Sequence, residues 1–162
     1  MRRINLIIFA IFLLQLIPDS FASADFQKGL NAALNRDYLT AAKEWKPLAN
    51  RGDATPQFQL GWLYQEGLGV TQDYKIAINW YTRAAEQGYA YAQSALARMY
   101  EKGQGVSQDY TRAYLWFSIA NLLWDPDAKA GQIRVSKKMN QDQIEYAKKN
   151  ALMCIQKNYK GC

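Results

Sequence analysis

Apolar positions divide the chain into three regimes. Ile4–Ile17 is an apolar run, interrupted only by Asn5 and Gln15. From about residue 25 to 121 the spacing becomes helical: Leu60, Gly61 and Tyr64 share one face of a helix over Pro56–Glu66, and Ala77, Tyr81, Ala84 and Ala85 share one over Tyr74–Gln87. After Trp124 that pattern stops. Asp125-Pro126-Asp127 predicts the start of a new helix, with Pro126 at its first position, running to about Met139. Asn140 then reads as the N-cap of a last helix with an apolar stripe of Ile144, Ala147, Ala151, Leu152 and Ile155.

The middle regime repeats itself at an offset of 36. Leu60 falls on Leu96, Gly61 on Ala97, Tyr64 on Tyr100, Gly67 on Gly103, Gly69 on Gly105, and Val70 on Val106. Gln72-Asp73-Tyr74 falls on Gln108-Asp109-Tyr110, while Ala77, Trp80, Tyr81 and Ala84 meet Ala113, Trp116, Phe117 and Ala120. A period of this size indicates stacked supersecondary units. Each unit reads as two helices: the glycines of Gly67-x-Gly69 and Gly103-x-Gly105 stop the first, and Asp73 and Asp109 start the second. Small residues (Gly61, Ala77, Ala84) mark helix crossings, and Tyr64, Trp80 and Tyr81 fill the gaps beside them.

The motif Leu-Gly-x-x-Tyr-x-x-Gly-x-Gly-Val-x-x-Asp-Tyr-x-x-Ala-x-x-Trp-Tyr-x-x-Ala-Ala-x-x-Gly, from Leu60 to Gly88, resembles the Sel-one-like (Sel1) repeat, a tetratricopeptide-type repeat with a longer inter-helix loop. Three units follow from that resemblance, at about 25–53, 54–88 and 89–121. The first is a diverged cap in which Gly29, Ala41 and Trp45 keep the register with about four fewer loop residues and Lys28 replaces Leu60. The third loses the closing glycine. The expected fold is all-α: a short right-handed α-solenoid of helix-turn-helix repeats over 25–125, closed by C-terminal capping helices over 126–162.

The ends add a compartment. Arg2-Arg3, the apolar run and the small residues Ala22-Ser23-Ala24 make residues 1–24 a secretory signal peptide, with cleavage near Ala24 and a periplasmic or secreted product. The run is short for a bilayer span. About 138 of the 162 residues then remain, enough for one domain with its own core. In an oxidising compartment the two cysteines, Cys154 and Cys162, are expected to pair. Eight residues on one continuous helix span roughly 12 Å, beyond the roughly 4.4–6.8 Å that a disulfide tolerates between Cα atoms, so the helix must end between them, with Asn158 and Gly161 providing the reversal.

Charge and chemistry narrow the function. The chain carries 20 basic and 14 acidic residues, net +6. The excess is C-terminal: from Pro126 onward eight Lys and Arg face three Asp and Glu, a patch suited to a solvated face or to contact with an anionic surface, whether lipid headgroups of a membrane or an acidic protein. There is no histidine, which removes Ser-His-Asp and Cys-His catalysis and the commonest metal ligand. Glu66, Asp73, Glu86, Glu101 and Asp109 sit at helix ends or repeat-equivalent positions, where capping and solvation account for them. No catalytic residue, cofactor or metal is assigned, and exported, basic helices without interleaved aromatics do not suit nucleic acid.

The resemblance implies an interaction module that binds another protein along its concave face. Superposed on the repeat register, the groove residues are Phe58, Trp62 and Gln65 in the second unit and Tyr91, Arg98 and Lys102 in the third. Aromatic and arginine side chains are the usual interface anchors. The alternative use of Phe58 and Trp62 is packing against the chain's own first unit. Two other functions are a structural scaffold of the cell envelope and β-lactam binding or weak hydrolysis, known from cysteine-rich relatives of this repeat. The latter departs from this chain, which lacks their per-repeat cysteine pairs and any Ser-x-x-Lys.

Overall fold

The computed structural model describes residues 18–162, with side chains from Ala24 onward. Most of the predicted leader lies outside that range, and its Pro18–Ala24 portion runs into the first helix. Among the described residues there are eight helices and no strand: α1 (Pro18–Leu34), α2 (Tyr38–Arg51), α3 (Ala54–Glu66), α4 (Tyr74–Ala85), α5 (Ala90–Lys102), α6 (Tyr110–Leu122), α7 (Ala128–Ser136) and α8 (Gln141–Gln156). Helices α1 to α6 pack in sequence as three hairpins stacked side by side, and the fold is an all-α solenoid. Helices α7 and α8 both return to α6.

Each hairpin is set by one steric pairing. A small residue on the first helix leaves room for an aromatic ring on the second, so the two helices approach closely. A Cβ on Gly29 would lie 2.6 Å from Trp45 Cδ1, and one on Gly61 would lie 2.6 Å from Tyr81 Cδ1 and Cε1. In the third unit Ala97 takes the glycine's place, and the ring of Phe117 is instead covered by Gly131 of α7, whose added Cβ would lie 2.8 Å from Phe117 Cδ1. Trp45, Tyr81 and Phe117 are at most 1% exposed. The predicted repeat residues Leu60, Ala77, Ala84, Leu96, Ala97, Ala113, Trp116 and Ala120 are also buried, with Trp80 at the rim of the core.

The inter-helix loops lock successive units together. Gly67 and Gly103 close their helices in the left-handed conformation, at φ 70° and 67°. Gly69 and Gly105 press on the start of the preceding unit's second helix: an added Cβ would lie 2.7 Å from Tyr38 O and 2.8 Å from Tyr74 O. The second helices begin at carboxylate caps. Asp37 accepts from Thr40 N at 3.1 Å, Asp73 from Lys75 N and Ile76 N at 2.8 and 3.0 Å, and Asp109 from Arg112 N at 2.9 Å.

The C-terminal region departs from expectation at two residues. Helix α7 starts at Ala128, not at Pro126, because the buried Asp125 carboxylate accepts from Asp127 N (2.8 Å) and Ala128 N (3.1 Å) and sets the cap two residues later. Leu152 is not in the apolar stripe of α8 but 60% exposed. The buried face is Ala147, Ala151 and Cys154, spaced i, i+4, i+7, and Leu152 sits a quarter-turn off it. Asn140 caps α8 as expected, in a capping box with Gln143.

The Cys154–Cys162 disulfide closes with its Cα atoms 5.6 Å apart. The helix ends at Gln156, and left-handed backbone at Asn158, Tyr159 and Gly161 reverses the chain. That turn lies against the second unit: Gly161 N donates to Glu86 Oε1 at 3.2 Å, and Tyr159 covers Gly88.

Candidate interaction surface

The first helices of the second and third units, α3 and α5, carry the six predicted groove residues, and four of them, Phe58, Gln65, Tyr91 and Arg98, lie in or beside one aromatic cluster. Phe58 on α3 lies with its ring centroid 5.8 Å from Tyr81, 5.4 Å from Tyr89 and 6.3 Å from Tyr91, and Tyr89 lies 5.8 Å from Tyr91. The rings are tilted to one another, the arrangement their quadrupoles favour. Tyr89 is the N-cap residue of α5 and Tyr91 belongs to its first turn, so the turn after Gly88 delivers both rings to the seam between the units. Phe58 is half-buried, whereas Tyr91 is 53% exposed and forms the outer edge of the cluster.

A polar group adjoins the rings. The buried Tyr81 hydroxyl donates to Gln65 Oε1 at 3.0 Å. Burial pushes the Tyr81 phenol well above its ordinary range, the Arg98 charge opposes that shift, and Glu66 reinforces it. Gln65 and Arg98 thus act on the same hydroxyl from α3 and α5. Arg98 is half-buried and Lys102 exposed, and neither has an ionic partner among the described residues. Lys102 closes α5, where its charge meets the negative end of the helix dipole.

Trp62 stands apart from this group. Its ring meets Tyr38 of the first unit edge-on, 5.9 Å between centroids and 75° between planes, and it packs with the core of units one and two. Trp62 and Arg98 occupy equivalent repeat positions, so one register position serves packing in one unit and presents a cation in the next.

Sequence reasoning missed two polar residues that join the units. Gln57 and Gln93, also 36 apart, are 1% and 0% exposed. Gln57 Nε2 donates to Ala49 O at 2.9 Å and Gln93 Nε2 to Ala85 O at 3.1 Å, so each satisfies a carbonyl at the end of the preceding unit. Gln87 Nε2 then donates to Gln57 Oε1 at 2.8 Å. In the third unit the position of Gln87 holds Leu123, and no protein group donates to Gln93 Oε1. The shared offset of 36 was the available signal.

Two clefts open beside the second helices. One of about 300 Å³ is lined by Leu39, Lys43, Leu60, Tyr64, Val70 and Trp80. The other, about 810 Å³, lies between α6 and α8 beside Arg112, Leu115, Tyr146, Met153 and the disulfide. Thr111 and Leu115 of the larger cleft are two repeat lengths beyond Leu39 and Lys43 of the smaller. Val70 of the inter-helix loop fills part of the smaller cleft. The connection between α7 and α8 is shorter, residues 137–140 against 67–73 between α3 and α4, and none of its residues lines the second cleft.

The Sel1 repeat family matches residues 57–89 and 90–123. A protective antigen of uropathogenic Escherichia coli strains, displaying an SLR fold, is similar in crystal structure with a TM-score of 0.80 and 27% identity, over 85% of this chain and 31% of that one. The chain thus spans about a third of that antigen's length. A Sel1 repeat protein from Oxalobacter formigenes is 34% identical with a TM-score of 0.63, over 70% of this chain and 88% of that one. No curated protein matches. The 36-residue register, the small-against-aromatic hairpins and these matches agree: the chain belongs to the Sel1 repeat family of the tetratricopeptide-repeat superfamily.

Proposed function

We propose that this protein is an exported adaptor that binds a segment of another protein along the face formed by α3 and α5. Sel1 repeat proteins are generally protein-interaction modules, and their fold is typically a non-enzymatic scaffold. The observation that carries the reading is the Phe58–Tyr89–Tyr91 cluster, with Tyr91 53% exposed at its edge and the unpaired Arg98 cation on the same helix. Ring area of this kind binds at low entropic cost, and a guanidinium beside it selects for a carboxylate or backbone carbonyls on the partner. Phe58 and Gln65 hold the platform, Tyr91 and Arg98 make the contact, and Lys102 extends the positive charge. Trp62 has a supporting role through Tyr38. A Cys154–Cys162 disulfide fits an oxidising, non-cytoplasmic compartment.

The test is crosslinked capture from the cell-envelope fraction, with the native chain beside a Tyr91→Ala, Arg98→Ala double variant and a Trp62→Ala variant. The expected result is one partner captured by the native chain, lost by the double variant and retained by Trp62→Ala. Equal capture by the folded double variant overturns the assignment of this face.

A further inference from the structure

The tip between α6 and α7 has a different chemistry from the groove. Leu122 is 59% exposed, Leu123 36% and Trp124 92%, three large apolar side chains in a row at a turn. The backbone there is the repeat's own closing turn. Asp125 N bonds Ala120 O at 3.0 Å as Tyr89 N bonds Ala84 O at 3.2 Å one repeat earlier, so Trp124 stands where the second unit has Gly88. Both are left-handed, at φ 65° and 82°. Glycine adopts that conformation freely, whereas a β-carbon there is strained. Among the described residues, the most exposed large apolar side chain is therefore held in a conformation the preceding repeat assigns to glycine. Folding does not call for a tryptophan at this place, since the ring leaves the core altogether.

The helix that follows has a basic outer stripe. Ala128, Gly131 and Val135 form the buried stripe of α7, at i, i+3, i+7. The opposite stripe is Lys129, Ile133 and Lys137, at i, i+4, i+8, with Ile133 50% exposed and Lys138 beside it. None of these three lysines has an ionic partner among the described residues. Of the tip carboxylates, Asp125 is buried and turned onto backbone N–H groups, which leaves Asp127 as the exposed one.

From this geometry we infer a peripheral membrane-docking surface: Leu122, Leu123 and Trp124 enter the interfacial layer of an anionic bilayer while Lys129, Lys137 and Lys138 meet the lipid phosphates. An indole suits that layer because its ring is apolar and its N–H finds an acceptor there. An apolar face flanked by lysines is the pattern of segments that lie on, rather than cross, a membrane. No described helix is long and apolar enough to cross one. Leu122, Leu123 and Trp124 line neither of the two clefts described above. Three adjacent exposed apolar side chains suit a deformable lipid surface.

The test uses the chain purified with the N-terminus its own cells leave, sedimented with vesicles of phosphatidylcholine alone or mixed with phosphatidylglycerol. The expected result is partition onto the mixed vesicles only, weakened about tenfold or more by Trp124→Gly and abolished by a Lys129→Gln, Lys137→Gln, Lys138→Gln variant or by high salt. Brominated acyl chains are expected to quench the emission that the native chain has and Trp124→Gly lacks. Because the variant restores the glycine that the turn prefers, its thermal midpoint stays level or rises, which separates lost docking from lost folding. Three outcomes overturn the inference: equal partition of Trp124→Gly and the native chain, absence of local quenching, or unchanged vesicle binding by a Trp124→Gly variant that has lost a soluble protein partner. The α3–α5 variants are expected to bind vesicles normally, so the two surfaces are tested independently.

Discussion

Gln57 and Gln93 offer a controlled comparison, because the repeat places the same residue in the same register with different company. Both are buried and both donate to a carbonyl at the end of the preceding unit. Only Gln57 Oε1 receives a donor, Gln87. Replacing each in turn by Met, which has nearly the same shape, isolates that difference. The common terms nearly cancel: each variant loses one bond to the carbonyl, and each carbonyl keeps a backbone donor, Gly52 N at 3.2 Å for Ala49 and Gly88 N at 3.0 Å for Ala85, with Arg83 Nη2 also on Ala49 O at 3.3 Å. Gln57→Met additionally loses the Gln87 bond, worth about 1 kcal/mol. Gln93→Met instead removes a buried oxygen that no protein group satisfies, a relief of about 1–3 kcal/mol. Gln87 is exposed and its bond is weakened by water, so the lower end applies: Gln57→Met is expected to be about 2 kcal/mol more destabilising than Gln93→Met.

Urea unfolding at constant m-value reads this difference directly, and thermal midpoints are expected to separate by about 6 °C. A third change completes the argument. Leu123→Gln restores the donor of the second unit and is expected to couple favourably to Gln93 by about 1 kcal/mol in a double-mutant cycle with Gln93→Met. Equal costs for the two Met variants, together with a coupling near zero, refute the claim that the third unit carries an unpaired amide oxygen.

Two further perturbations test other parts of the fold. Burial raises the Tyr81 phenol above its ordinary 10.0, so below pH 10 the folded and unfolded chains both hold the proton and above it the unfolded chain releases it first. Stability is therefore expected to fall as pH rises past 10, with the slope reduced by up to about 1.4 kcal/mol per pH unit in Tyr81→Phe; unfolding curves at stepped alkaline pH check this, and identical slopes contradict it. Reducing the Cys154–Cys162 disulfide reopens a loop of eight residues' separation and is expected to cost about 2.5 kcal/mol on the chain-entropy model. Thermal melts with and without reductant check that value. An unchanged midpoint would mean that the turn holds Tyr159 against Gly88 without the covalent link.

What the sequence made legible was whatever recurs with a steric reason. Gly61, which admits Tyr81, and the glycines that end helices or press on the preceding unit are identities that a larger side chain would disturb, so the offset of 36 reveals their register. The paired glutamines were just as periodic, yet a glutamine on a helix reads as surface until its carbonyl partner is known. The groove positions are less uniform than the register. Transferring one register position to every unit treats the units as equal, but the first has only Asn35, Arg36 and Asp37 between its helices and brings Tyr38 onto Trp62. The C-terminal helices are the limiting case. Having no repeat partner beyond them, both pack back on α6, and their buried faces follow that docking rather than hydrophobicity alone. Hence Cys154 goes inward and Leu152 outward within one turn of α8. The same reasoning bears on Trp124. It breaks the repeat's glycine rule and gains no burial from doing so, and a local rule broken without compensation inside the fold points to a compensation outside it.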